Sequence, residues 1–149
     1  MLRFLPALLL TLAACTGETP ENLGPDAGAL APCPDSPNCV SSDADREDEQ
    51  HYIEPLAFEG SAEIAWEAAV RAVESLPRTR IESRSDLHLH AESKSRIFRF
   101  VDDVELHLRP ERQHIAVRSA SRLGHSDLGV NRRRVERLRQ AFQKEIAVH

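Results

Sequence analysis

Apolar side chains alternate with polar ones along much of the second half of the chain, and this pattern predicts a β-sheet. Between residues 98 and 108 every second position is apolar except Asp102, and residues that repeat with a period of two share one face of a strand. A second strand over 114–121 follows a predicted turn at Pro110-Glu111, so the two strands form a hairpin. Further strands are predicted over 52–58, 79–83 and 87–92.

Two other segments carry apolar residues at helical spacing. Ser61 is a good N-cap for the first helix, which ends before Pro77, and Asn131 is a good N-cap for the second. The combination predicts an α+β domain, in which an antiparallel sheet of about four to five strands has both helices packed on one face. The apolar stripes are Ala62, Ala65, Trp66, Ala69, Val73 and Leu76 in the first helix and Val135, Leu138, Phe142 and Ile146 in the second.

The register of the hairpin assigns partners to its charged residues. If the turn sets Arg109 opposite Arg112, the apolar positions of the two strands meet and Asp103 lies opposite Arg118 on the other face. We therefore predict a surface ion pair between Asp103 and Arg118. Asp102 stands on the apolar face, where a carboxylate needs hydrogen-bond donors. It is expected to anchor the following loop, or alternatively to act as a general acid or base.

The first fifteen residues match the export signal of a bacterial lipoprotein. One basic residue precedes a short apolar run, and Leu12-Ala13-Ala14-Cys15 fits the lipobox, whose cysteine receives a diacylglyceryl group. The sequence thus predicts a signal peptide over 1–14 and a membrane anchor on lipidated Cys15. The protein is expected to be exported and to face the periplasm, and Thr16 favours the outer membrane.

A tether and a disulfide are predicted after the anchor. Residues 15–32 are rich in Pro, Gly, Asn and Glu and lack a hydrophobic period, which predicts a flexible tether. Cys33 and Cys39 flank a Pro-rich turn, and in an exported chain this favours a disulfide; a redox-active pair or half of a metal site are the alternatives. The single α+β domain is expected to span 33–149.

Charge is distributed unevenly along the chain. Residues 15–59 hold eleven acidic and one basic residue, whereas residues 60–149 hold thirteen acidic and seventeen basic ones. The two parts could pair with each other, or the basic part could bind an anionic partner. Three consecutive arginines, 132–134, stand at the positive end of the second helix, so Asp127, Asp102 or an external anion should neutralise them. Export and the net charge of -5 disfavour nucleic-acid binding.

Three stretches carry a resemblance to a known family. Residues 33–42 contain Cys33-Pro34 and Pro37-Asn38-Cys39-Val40-Ser41-Ser42, residues 100–105 read Phe-Val-Asp-Asp-Val-Glu, and residues 118–134 run from Arg118-Ser119 to Asn131-Arg132 and Arg134. They resemble the bacterial and plastid family catalogued as domain of unknown function 1499, over about 33–142. The resemblance implies that these residues form a common site or a common scaffold, and it implies no reaction. The candidate ligand-binding residues are Asp102, Arg122, Gly124, Asp127, Gly129, Asn131, Arg132 and Arg134.

Three classes of function compete. The preferred hypothesis is a non-enzymatic binding or structural module of the cell envelope, which holds an unknown anionic ligand or envelope protein at the loop between Arg122 and Arg134. The first alternative is an envelope hydrolase or transferase that uses Asp102 and the loop from His125 to Asp127. The second is metal binding by His88, His90, His107 and His114. No catalytic residue, metal site or cofactor is assigned.

Overall fold

The computed structural model describes residues 17–96 and 99–148. The predicted signal peptide, the lipidation of Cys15 and the strand start predicted at Phe98 lie outside these residues. The elements in chain order are β1 (Cys39–Ser41), β2 (Leu56–Ala57), α1 (Ala62–Glu74), β3 (Thr79–Arg84), β4 (His88–Lys94), β5 (Val101–Arg109), a 3-10 turn (Pro110–Arg112), β6 (His114–Ser121) and α2 (Val130–Ile146).

The strands of the described residues form one antiparallel sheet. Its order is β1-β6-β5-β4-β3. The two-residue β2 also pairs with β6, at residues 114–115, whereas β1 pairs with residues 118–120. The α+β class is confirmed, with six strands rather than the predicted four to five. The additional strand is β1, whose three residues are too few to show an alternating pattern.

Both helices pack against the apolar face of the sheet. Leu106 and Val117 on the central strands join Val73 of α1 and Leu138 of α2 in one buried cluster. Ser61 caps α1 as predicted, because its hydroxyl accepts a hydrogen bond from the N–H of residue 64. Within the described residues, neither helix is long and apolar enough to cross a membrane.

The register of the β5–β6 hairpin differs from the predicted one by two residues. The turn pairs Arg109 with His114, not with Arg112, because Gln113 adopts a left-handed conformation (φ 49°) and lengthens the loop to four residues. A shift of two preserves which face each side chain occupies. It changes the partners, so that Arg118 lies opposite Glu105 and Asp103 lies opposite Ala120.

Residues 17–32, named here the N-terminal strap, lie across the polar face of the sheet. The sequence predicts a flexible tether there, whereas the structure gives the strap specific contacts. The Gly24 N–H donates to Glu105 at 2.6 Å, the Leu30 N–H donates to Asp43 at 2.8 Å, and the Leu30 side chain is buried. These contacts use mainly backbone groups, which the amino-acid pattern does not reveal.

The disulfide between Cys33 and Cys39 is confirmed. The two sulfur atoms are bonded at 2.04 Å, across a Cα–Cα distance of 5.6 Å. Because Cys39 opens β1, the bond fixes the chain directly after the strap to an edge of the sheet.

Candidate functional site

A basic pocket lies between the end of α1, the edge formed by β3 and β4, and the first turns of α2. Its volume is about 270 Å³. Among the residues that the structure describes, no acidic side chain lines it. The remaining lining residues are Leu76, Pro77, Thr79, Ser93, Ser95 and Val130, and the six basic ones are Arg78, Lys94, Arg96, Arg133, Arg134 and Arg137.

Local structure explains why these cations converge. Residues 130, 133, 134 and 137 follow the i, i+3, i+4, i+7 spacing of a single helix face, so α2 presents three arginines to the pocket. Arg78 adopts a left-handed conformation (φ 54°) after α1. There its backbone carbonyl accepts from the Lys94 N–H at 3.0 Å and its Nε donates to the Lys94 carbonyl at 3.1 Å. These bonds hold the end of β4 against the α1–β3 connection.

Most of the basic side chains in the pocket are not neutralised. Lys94, Arg96 and Arg137 are exposed at the surface, and within the described residues their side chains make no hydrogen bond or ion pair. Within the described residues, the Arg133 side chain donates to one backbone carbonyl, that of Leu128, at 2.9 Å. Cations near the N-terminus of a helix are already disfavoured by its dipole. The pocket therefore has a positive potential that the chain itself does not cancel.

Arg134 is the exception, because it belongs to a buried polar cluster around Asn131. Asn131 is fully buried, and its side-chain oxygen accepts from the Ser119 hydroxyl at 2.6 Å and from Arg134 at 2.7 Å. Its side-chain nitrogen donates to the Asn38 carbonyl, to Ser121 and to Asp127. The cluster thus joins α2 to β6 and to the residue before β1.

Two predicted candidates complete the Asn131 cluster. Asp102 is buried and accepts from Arg134 at 2.6 Å, so it anchors α2 to β5. Asp127 accepts from the N–H groups of Gly129 and Asn131 at 2.7 and 2.9 Å. The N-cap of α2 is Gly129 (φ 77°), and the predicted cap Asn131 lies in the first turn. The Asp127 carboxylate takes the role of the capping side chain, because it accepts hydrogen bonds from the first amides of the helix.

The other predicted candidates do not converge with Arg134. Arg122 points to the opposite face of the sheet, where it binds Asp103 and Glu92. Gly124 adopts a positive φ of 89° and its carbonyl accepts from the Asn38 side chain at 2.6 Å. Arg132 donates to the carbonyls of residues 49 and 50 at 3.2 Å. Of the eight candidates, only Arg134 lines the basic pocket.

A second polar cluster lies beneath the strap, on the face of the sheet opposite the helices. Arg118 approaches Glu105 at 3.5 Å, which corrects the predicted pair of Arg118 with Asp103. Asp103 instead binds Arg122 at 2.7 Å and His90 at 2.7 Å. Burial alone would raise the pKa of the Asp103 carboxyl, but the hydrogen bonds from Arg122 and His90 hold it below its usual value.

These pairs are buried rather than exposed, contrary to the predicted surface ion pair. Glu105 is 0% exposed and Asp103 is 1% exposed. One oxygen of Glu105 and the Nε of Arg118 have no hydrogen-bond partner within the described residues. Burial lowers the pKa of the Arg118 guanidinium, even though Glu105 opposes the shift. The strap contacts this layer directly, because the Gly24 N–H donates to Glu105 and the Pro32 carbonyl accepts from Arg118.

The four histidines considered for metal binding have different partners, although His88 and His107 lie opposite each other on β4 and β5. His88 lies 3.1 Å from Glu105 and His90 binds Asp103. His107 lies opposite Ala116 rather than His114, and burial together with Arg109 lowers the pKa of both His107 and His114. Within the described residues, no group of three His, Cys, Asp or Glu side chains is placed to hold a metal ion.

Comparison with known families shows to which family the chain belongs. Residues 29–142 match the model of a family described as "Protein of unknown function (DUF1499)", about three quarters of the sequence. The chain belongs to the DUF1499 family. The resemblance seen in the sequence is thereby confirmed. No curated protein matches the chain.

The DUF1499 match includes both the basic pocket and the Asn131 cluster. It begins at Ala29, so the first part of the strap precedes it. The three motifs that carry the resemblance contribute mainly to the Asn131 cluster and to the buried pairs beneath the strap. In this DUF1499 chain, most of the motif residues therefore make structural contacts, and Arg134 joins them to the pocket.

Four of the six basic residues of the pocket are not among those singled out from the sequence. Arg78, Lys94, Arg96 and Arg137 come from three separate segments, and no motif connects them. The helical spacing of Arg133 and Arg137 was the available signal. This spacing places both arginines on one face of α2, and the antiparallel order of the strands places the end of β4 near the start of that helix.

Proposed function

We propose that this DUF1499 protein is an exported, lipid-anchored module of the cell envelope that binds an anionic ligand in the basic pocket without catalysing a reaction on it. The observation that carries the proposal is the pocket lining, which in the described part of the chain has six basic and no acidic side chains. The proposed ligand site is therefore the basic pocket, not the loop between Arg122 and Arg134 that the sequence indicated.

The contrast with the other arginines of the chain supports a binding role. Arg109 makes a two-pronged ion pair with Asp43 at 2.6 and 2.7 Å, and Arg122 is bound by two carboxylates. Arg109 and Arg122 are thus neutralised by carboxylates, whereas Arg96 and Arg137 have no carboxylate partner within the described residues. A ligand phosphate or carboxylate would supply the missing charge through charge-assisted hydrogen bonds.

The chemistry of the lining favours binding over catalysis. The pocket has no histidine, carboxylate or cysteine among its lining residues, so it offers no base suited to neutral pH. Asp102 and Asp127, the carboxylates of the alternative enzymatic hypothesis, are held by Arg134 and by the amides of α2. Their contacts are those of a structural anchor and a helix cap.

Export and anchoring are supported by the chain's chemistry. The lipobox supports acylation of Cys15, and two or three acyl chains would give stable membrane attachment where one chain does not. The Cys33–Cys39 disulfide suits an oxidising compartment such as the periplasm. We propose that the anchor lies in the outer membrane and that the domain faces the periplasm.

Calorimetric titration with pyrophosphate tests the pocket. The processed lipoprotein in a nonionic detergent should bind pyrophosphate, and Arg96→Ala and Arg137→Ala should each weaken binding about tenfold, since each removes a charge-assisted contact. Arg112→Ala is the matched control, because Arg112 is also exposed but lies at the other end of the sheet. Absence of binding by the unmodified protein, or equal loss in the control, would refute the proposal.

A further inference from the structure

Exposed hydrophobic side chains concentrate at the end of the sheet that carries the basic pocket. Seven large hydrophobic residues are exposed in the part of the chain that the structure describes, and four of them belong to this end. Phe100 precedes β5 and Leu123 follows β6, and these ends are joined by the Arg122 N–H to Val101 carbonyl bond at 3.2 Å. The four are Phe100 (41% exposed), Leu123 (39%), Leu128 (84%) and Val130 (39%).

Basic residues are interspersed with this apolar group. Val130 lines the pocket together with Arg96 and Arg133, and Arg133 binds the Leu128 carbonyl. Asp127 is directed at the helix amides rather than outward. Apolar side chains among cations suit the boundary of a lipid bilayer, where the apolar groups enter the acyl region and the cations meet phosphates.

The course of the strap brings the predicted anchor to the same end. A Cβ built on Gly17 would lie 2.9 Å from the Arg122 Cβ and 3.3 Å from the Leu123 Cγ, so the strap begins directly against these residues. Cys15 precedes Gly17 by two residues in the sequence. Two residues of extended chain span about 7 Å. The acyl chains would therefore hold this end of the domain at the bilayer. Glu18 adds one exposed carboxylate there, against several exposed guanidinium groups.

We infer that this end of the sheet, named the docking end and defined by Phe100, Leu123, Leu128 and Val130, docks on an anionic phospholipid bilayer. The inference rests on the proposed function and deepens it, because it identifies the anionic partner as lipid phosphate at the membrane surface. The domain then lies on the membrane, with the basic pocket over the headgroups. Each basic residue near an anionic surface strengthens such binding about fivefold.

Quenching of tryptophan by brominated lipid measures the docking directly. The processed lipoprotein, with its acyl mass on Cys15 verified by mass spectrometry, is placed in vesicles of phosphatidylglycerol and brominated phosphatidylcholine. We expect Leu128→Trp to be quenched, because it should enter the acyl boundary. Leu87→Trp should not be, since Leu87 is exposed (47%) at the opposite end of the sheet. Trp66 is buried and common to both variants.

The same quenching assay measures how much the basic residues contribute to membrane docking. Adding Arg96→Ala and Arg137→Ala to the Leu128→Trp protein should reduce quenching, as should replacing phosphatidylglycerol with a zwitterionic lipid. Equal quenching of Leu128→Trp and Leu87→Trp, or none in either, would overturn the docking. If pyrophosphate still bound in detergent, only the membrane docking would be refuted; if both were absent, the proposed function would fall with it.

Discussion

Asn131 shows how one buried side chain can organise a whole corner of the molecule. Its amide makes five hydrogen bonds, to Ser119, Arg134, Asn38, Ser121 and Asp127. A buried polar group is stabilising only when its partners are present, and removing it leaves each partner unsatisfied. Asn131 therefore serves the fold, although its position beside three arginines suggested a ligand.

Replacement of Asn131 should reveal this structural role. We expect Asn131→Ala to lower the free energy of unfolding by about 3 kcal/mol, because Ser119 and Arg134 lose a buried acceptor. Denaturant unfolding followed by circular dichroism measures the change. Gln140→Ala, an exposed change on the same helix, should alter stability by less than about 0.5 kcal/mol. Equal stability of the two variants would contradict the assignment.

The strap is the element that sequence patterns describe least well. Its Pro- and Gly-rich composition indicates a tether, yet Leu30 is buried and backbone groups of the strap bind Asp43 and Glu105. By contrast, the strands β5 and β6 could be predicted, because a period of two fixes their faces. Their register could not, because it depends on the left-handed conformation of Gln113. Local pattern predicts elements and faces, while turn geometry and backbone contacts determine partners.

Acid should weaken the charged layer beneath the strap. Burial would raise the pKa of Asp43, but Arg109 and the Leu30 N–H hold it below its usual value, and the pKa of Asp103 is also lowered. A depressed carboxyl pKa adds stability above the unfolded value of about 3.9, and this is lost as the pH falls through the folded value. The thermal midpoint should therefore drop steeply below about pH 4.

Comparison of variants isolates the two carboxylates. The double variant Asp43→Asn with Asp103→Asn should have a lower midpoint at neutral pH and a shallower dependence on pH below 4, because these groups no longer titrate. Glu63→Gln, which changes an exposed carboxylate of α1, should retain the steep dependence. Parallel curves for the unmodified and double-variant proteins would show that the stability of the strap layer has another origin.

The acidic and the basic parts of the chain pair with each other less than their opposite charges would allow. The acidic residues 17–59 could have neutralised the basic remainder, but Asp43 with Arg109 is the one ion pair between them within the described residues. Arg132 and Arg139 bind carbonyls of this segment instead of its carboxylates. The basic pocket therefore keeps its charge, and it is assembled by the fold from segments that share no motif. This is why the sequence motifs alone did not predict it.

Nuclear magnetic resonance of arginine side chains tests the central claim most directly. During titration of the processed lipoprotein with pyrophosphate, the Nε–H signals of Arg96 and Arg137 should shift and saturate together, because both side chains line the pocket and are free to bind an anion. The signal of Arg112, at the opposite end of the sheet, should stay in place. Unchanged signals for Arg96 and Arg137 at saturating pyrophosphate, or an equal shift of Arg112, would contradict an anion site in the basic pocket.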